Sequence, residues 1–245
     1  MIFKNILKFI FPSRCIICDT VLPYGNKLEN EYLCNDCRDG LEFIKNPTCK
    51  KCGAMISQAD GDLCPRCKEN MPKYFEYGFG LCRYNELIRL SIHKIKYQGR
   101  KEYLYFYGKM IAMAFKDKFK KISPDLFIPV PIHKKRLRER NYNQSGVLAY
   151  VISEELKKYS IDIPVDENII FRTKNTTVLN RLDSKDRGVE LDDAFETNDV
   201  VGIEKVVVVD DIYTTGATID RVAKNLKECG VKEVYFTTIA IVDNL

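Results

Sequence analysis

The sequence predicts an α/β protein, a parallel twisted sheet covered by helices and preceded by a cysteine-rich module. Three observations lead there. Val206–Val209 is an unbroken β-branched run, the pattern of a strand buried on both faces of a parallel sheet. A helix-period segment and a second strand-like run follow within about 40 residues, which makes a right-handed βαβ crossover. Eight of the ten cysteines fall before residue 68, in four Cys-x-x-Cys pairs.

In chain order, Ile2, Phe3, Ile6, Leu7, Phe9 and Ile10 can form a helix with a broad apolar face. That face either docks on the protein's own core or lies on the inner membrane surface with Lys4 and Lys8 toward the headgroups. The stretch has no small-residue cleavage site and falls short of the about 20 apolar residues a span requires. The expected location is therefore cytoplasmic, with peripheral association at the inner face of the cell membrane as the variant, and with thiols kept reduced. Residues 1–72 hold every cysteine pair, many turn residues and no helical pattern long enough to build a core. A metal is expected to fold them.

Residues 73–245 form the α/β domain. Leu87, Ile88, Ile92 and Ile95 recur at helical spacing, as do Leu104, Tyr107, Ile111, Phe115 and Phe119. Leu126–Pro131 reads as a strand, and Val147, Leu148, Val151, Ile152 and Leu156 as a helix capped near Asn143–Ser145. Residues 180–200 are polar and read as an irregular insertion or a short hairpin. Ile219, Val222, Ala223 and Leu226 make a helix that stops at Gly230, and Glu233–Val242 is the last strand.

Each Cys-x-x-Cys turn aims two thiolates at one ion, and tetrahedral zinc takes two such turns. Cys15, Cys18, Cys34 and Cys37 enclose a spacer of 15 residues, and Cys49, Cys52, Cys64 and Cys67 enclose 11. Two sequential four-cysteine sites follow, with crossed ligation as the alternative. Four thiolates per ion leave no open position, so both zinc ions are structural. A redox role for one pair is the competing use of such a motif. Cys82 and Cys229 read as small buried hydrophobes.

The stretch Val206-Val-Val-Val-Asp-Asp-Ile-Tyr-Thr-Thr-Gly-Ala-Thr218 ends the buried strand at the sheet's C-terminal edge, where open α/β sheets bind ligands. Asp210 and Asp211 are expected to leave the sheet there. Thr214, Thr215, Gly216, Ala217 and Thr218 then turn into a helix whose first amides and dipole face an incoming phosphate. Acids suit the hydroxyls of a sugar and the loop suits its phosphate, so the pattern fits a sugar phosphate better than phosphate alone. A capped strand-to-helix turn with exposed acids is the plain alternative.

That string resembles the phosphoribosyl-pyrophosphate motif of type I phosphoribosyltransferases. With the cysteine pairs, the chain from about residue 11 to 243 resembles the competence protein F family, linked to DNA uptake in natural transformation. Further matching pieces are Lys96-Tyr-Gln-Gly-Arg100, Ile128-Pro-Val-Pro131 with the basic loop after it, Arg140-Asn-Tyr-Asn-Gln144, Arg187 and Ala194-Phe195. The family usually has Arg-Gly-Phe-Asn-Gln where this chain has Asn141 and Tyr142 at the second and third places, and Leu179 and Glu190 replace a family Gln and Asn. The resemblance implies a type I phosphoribosyltransferase fold. It also implies ribose hydroxyls on Asp210 and Asp211, the candidate catalytic pair, and the 5′-phosphate on Thr214–Thr218. Pyrophosphate would meet His133, Lys134, Lys135 or Arg136 in the loop after Pro131. Mg²⁺ would bridge the diphosphate, since it prefers phosphate oxygens and water.

The net charge of +5 is too mild to argue for nucleic acid in bulk. Its distribution is more telling: Arg89, Lys94, Lys96, Arg100 and Lys101 lie without an intervening acid between 89 and 101, and Lys134–Arg140 holds five cations and one acid. Lys96, Arg100, Lys134, Lys135, Arg136, Arg140 and His133 can thus serve pyrophosphate or a nucleic-acid backbone. Tyr97, Tyr103, Tyr105 and Tyr142 offer stacking surfaces, with a solvated basic face and tyrosines in the core as the plain alternative. Two functions follow. One is a DNA-uptake protein that binds phosphoribosyl pyrophosphate and single-stranded DNA, with a DNA-uptake helicase as a further partner. The other is a conventional phosphoribosyltransferase of nucleotide metabolism or salvage with a small-molecule acceptor. Whether transfer occurs is left open, because the clamp is recognisable and the acceptor pocket is not.

Overall fold

The computed structural model describes residues 13–22, 32–71, 73–172, 195–198 and 200–243. The expected N-terminal helix, and the family positions Leu179, Arg187, Glu190 and Ala194, lie outside them.

Four parallel strands form the main sheet: β1 (Gly78–Arg83), β2 (Leu126–Pro129), β5 (Lys205–Tyr213) and β6 (Glu233–Ile241), in the order β1-β6-β5-β2. A separate antiparallel pair joins β3 (Ile170–Arg172) to β4 (Phe195–Thr197), so the described end of the polar 180–200 stretch is a strand. The helices are α1 (Asn35–Arg38), α2 (Pro65–Glu69), α3 (Glu86–Tyr97), α4 (Tyr103–Ile122), α5 (Lys134–Arg140), α6 (Gln144–Lys157) and α7 (Ala217–Glu228).

Period-2 alternation sorts β5 between two cores. Val207 and Val209 face one with Ile92, Leu104, Tyr107, Leu148 and Ile152, which come from α3, α4 and α6. Val206 and Val208 face the other with Ile219, Val222 and Leu226 of α7. All four valines are fully buried, as a strand covered on both faces demands. The β5–α7–β6 segment is the expected βαβ unit, and Asn143 caps α6 as expected by accepting from Ser145 N.

Four expectations need correction. Asp210 and Asp211 do not leave the sheet: β5 runs on to Tyr213 because β6 continues beside it, with Asp210 opposite Thr238. Pairing to β2 does end at Val209, so the two acids lie beyond the shorter neighbour. The basic segment after Pro131 is a helix, α5, capped by His133, whose Nδ1 accepts from Lys135 N at 3.2 Å. Cys229, at the end of α7, is exposed and not buried as expected, whereas Cys82 is buried. Strand β1 was not anticipated. Its sequence is Gly-Phe-Gly-Leu-Cys-Arg, and a Cβ at Gly78 would stand 2.1 Å from the Phe236 ring, so close strand approach excludes a side chain there.

The cysteine module is not an appendage. Cys15, Ile16, Ile17 and Cys37 share the core of α3, α4 and α6, whereas Cys49, Cys52, Cys64 and Cys67 share the core of α7. The module therefore straddles the β1 edge. Residues between its two halves cover that edge: Ile44 N donates to Leu81 O (3.0 Å) and Arg83 N to Glu42 O (2.8 Å), around an antiparallel bridge from Phe43 to Cys82. An edge so paired cannot recruit a foreign strand.

Candidate functional site

The acids are fixed by neighbours from three elements. Asp210 Oδ1 accepts from Ser145 Oγ on α6 at 3.0 Å and from Asp211 N at 2.8 Å. Asp211 is 6 % exposed, and its Oδ2 lies 2.7 Å from Lys96 Nζ, near the end of α3. Burial pushes the Asp210 carboxyl up to about 7, reinforced by the Asp211 charge and opposed by Lys96. Lys96 is the cation that lets two adjacent carboxylates share a partly desolvated place.

Next to the acids, Thr214 and Thr215 are exposed, and Ala217 N donates to Thr215 Oγ1 at 3.4 Å. Gly216 caps α7 at φ +84, and a Cβ there would stand 2.3 Å from Tyr213 Oη. Left-handed backbone and the ring beneath both require glycine. The 12-residue helix α7 directs its positive end at this turn. Two acids, three threonine hydroxyls (Thr214, Thr215, Thr218) and the first amides of α7 thus follow one another at this end of β5.

The basic residues divide. Lys134, Lys135 and Arg138 on α5 are exposed, and Arg136 is half-buried. Arg140 folds back, with its guanidinium 5.3 Å over the Tyr97 ring and Nη1 donating to Gln144 Oε1 at 3.0 Å. Arg100 turns away from the acids to Asp19 and Glu102, each at 3.4 Å. Asp19 also meets Lys94 at 3.4 Å and accepts from the Tyr103 hydroxyl. Burial alone would raise the Asp19 carboxyl, but Tyr103, Lys94 and Arg100 outweigh it and hold it below its ordinary range. Tyr103, 2 % exposed, is therefore a structural anchor and offers no stacking face. Tyr97 (68 %) and Tyr105 (52 %) do, whereas the Tyr142 hydroxyl is committed to Ile95 O.

A cleft of about 200 Å³ is lined by Lys96, the partner of Asp211, and by Ile95, Tyr97, Gly99, Glu139, Arg140, Asn141 and Tyr142. Asn141 and Tyr142, where the chain departs from the usual family residues, thus sit together in one wall. Sequence reasoning also missed Ser145 and Arg172. Burial lowers the Arg172 guanidinium, as does the charge of Arg136, and the charge of Asp210 opposes them. No local pattern marks either residue.

The cysteines gather sequentially. Within each of the sets Cys15, Cys18, Cys34, Cys37 and Cys49, Cys52, Cys64, Cys67, the four Sγ atoms lie within 4.8 Å of one another. Cys18–Cys34 and Cys52–Cys64 stand at 3.6 Å, close to the about 3.8 Å between sulfurs of a tetrahedron with Zn–S about 2.3 Å. Both sets fit a structural zinc ion. These are the only clusters of three or more metal-ligating groups among the described residues. No helix among the described residues is long and apolar enough to cross a membrane.

Residues 6–68 match a double zinc ribbon domain and residues 145–244 a phosphoribosyl transferase domain. Competence protein F of Haemophilus influenzae is 29% identical over 231 residues, covering 91% of this chain and 95% of that protein. Competence protein ComFC of Streptococcus pneumoniae is 28% identical, covering 90% and 96%. DNA utilization protein YhgH of Escherichia coli O157:H7 is 26% identical, covering 91% and 94%. Among solved structures, a purine phosphoribosyltransferase from Pyrococcus horikoshii aligns at 17% identity and TM-score 0.31, over 57% of this chain and 85% of that one.

Proposed function

We propose that this homologue of the competence proteins F and ComFC, built on a phosphoribosyltransferase-type domain and a double zinc ribbon, acts in DNA uptake and binds phosphoribosyl pyrophosphate. One observation carries the ligand: two adjacent acids, held by Ser145 and Lys96, abut a threonine–glycine turn at the start of α7. Asp210 and Asp211 take the ribose hydroxyls, and Thr214–Thr218 the 5′-phosphate. Lys96, released from Asp211 as the ribose arrives, turns its charge to the diphosphate together with Arg136 and the exposed cations of α5. Mg²⁺, when bound with the ligand, neutralises diphosphate charge.

Single-stranded DNA is the second ligand, with exposed lysines of α5 on its backbone and Tyr97 and Tyr105 as stacking faces. A DNA-uptake helicase is the partner class this role implies, and the cytoplasmic side, including the inner face of the membrane, is where it would act. The cleft beside Lys96 favours a second reading, a phosphoribosyltransferase with a small-molecule acceptor seated there. Fluorescence anisotropy with a labelled single strand at increasing salt separates the two. DNA uptake predicts binding whose log affinity falls linearly with log salt. No binding at low salt, with phosphoribosyl pyrophosphate still raising the melting temperature, would leave only the transferase.

A further inference from the structure

We propose that Arg66, on the fourth Cys-x-x-Cys knuckle, is a positioning residue for the phosphate loop and acts through Tyr213. The inference rests on the phosphoribosyl reading of that loop.

Arg66 stands between Cys64 and Cys67 in α2, and both cysteines are at most 1 % exposed. Its Nη2 donates to Val242 O at 2.5 Å, and its guanidinium lies 5.6 Å over the Tyr213 ring. Val242 N in turn donates to Tyr213 O at 2.9 Å. One side chain therefore grips Tyr213 twice, at the ring and through the backbone beyond β6. Phe236 stacks on the same ring at 4.7 Å and 7°, and Phe75 meets it edge-on at 6.3 Å.

Tyr213 is 1 % exposed, and its hydroxyl has no hydrogen-bond partner among the described residues. Phenylalanine would fill the same space without burying an unsatisfied donor, so packing of the ring alone does not explain a tyrosine. The hydroxyl lies against Gly216, where a Cβ would come within 2.3 Å of it. It forms the floor of the loop at the residue where the chain turns into α7. A ring displaced toward the loop must displace Gly216, and one displaced away leaves Gly216 without its floor. Four thiolates on zinc set the knuckle, the knuckle sets Arg66, Arg66 sets Tyr213, and Tyr213 sets the loop. Loading of the second zinc site is thereby coupled to affinity for the 5′-phosphate.

Arg66→Met and Arg66→Lys test this in the full-length, zinc-loaded protein, with ribose 5-phosphate and pyrophosphate as separate probes in equilibrium dialysis. Zinc content, read by mercurial release, is expected to stay at two per chain. Arg66→Met should weaken ribose 5-phosphate about tenfold, the scale of one partly desolvated cation–π contact, with pyrophosphate changed less than about twofold. Arg66→Lys should recover most of the loss. Unchanged ribose 5-phosphate affinity, or equal loss of both probes, overturns the proposal. Should Arg66→Met not retain its zinc, Arg66→Gln, which keeps a donor for Val242 O, takes its place. If the wild type binds neither probe, the phosphoribosyl reading fails and hydrogen exchange of the ligand-free protein decides the brace. Amides of 214–217 should then exchange about tenfold faster in Arg66→Met while those of β2 stay unchanged. Equal rates at 214–217 overturn it.

Discussion

Asp210 carries opposing demands: burial and the Asp211 charge lift its carboxyl to about 7, from an ordinary value of 3.8, while Lys96 and Ser145 favour the ionised form. The unfolded chain gives up this proton near 4 and the folded protein only near 7, so between these values the folded state binds more protons. Stability from this group therefore falls as pH rises through that window, and the cost is complete above 7. Asp210→Asn keeps an acceptor for Ser145 and removes the charge. Its melting temperature should exceed that of the wild type by about 3 °C at pH 8, roughly 1 kcal/mol for a chain of this size. The gain should shrink toward pH 5.5, and a pH-independent difference in thermal melts would contradict the assignment. At this scale the acids, threonines and cysteines were legible because each group is contiguous or regularly spaced. Ser145, Arg172 and Arg66 were not: Ser145 is 65 residues from Asp210 and Arg66 is 176 from Val242, so only folding brings them together.

Among the elements, β5, β6, α3, α4, α6 and α7 announced themselves by period, since each buries one stripe or both faces. Strand β1 did not, because Gly78 and Gly80 stand where β-branched residues would mark a strand. Helix α5 did not either. Leu137 is its single apolar residue and is 42 % exposed, so no apolar stripe advertises it. Its formation still matters, because a helix fans Lys134, Lys135 and Arg138 along its solvent side. Replacing these three by alanine should leave zinc content and melting temperature unaltered. It should reduce the salt slope of single-strand binding by about 2, near 0.7 per lost phosphate contact. An unchanged slope would place the DNA contact elsewhere.

In the whole molecule, the two cysteine clusters feed opposite faces of one sheet, a contact between chain-distant segments that composition could not reveal. The composition change near residue 72 marks a sequence boundary, while the packing across it is continuous. Structural zinc contributes about 10–16 kcal/mol per site, against a net stability of about 5–15 kcal/mol for a typical domain. Mercurial release of two zinc ions per chain should therefore collapse the far-ultraviolet dichroism of the α/β domain as well as the module. A cooperative melt surviving metal loss would contradict that dependence. The proposed function rests on the acids beside the threonine loop, and calorimetric titration with phosphoribosyl pyrophosphate and Mg²⁺ tests it most directly. Wild type should bind one ligand per chain, and Asp211→Asn, which removes the charge paired with Lys96, should weaken it at least about tenfold. Equal affinity in both proteins, or no heat in either, would contradict the phosphoribosyl site.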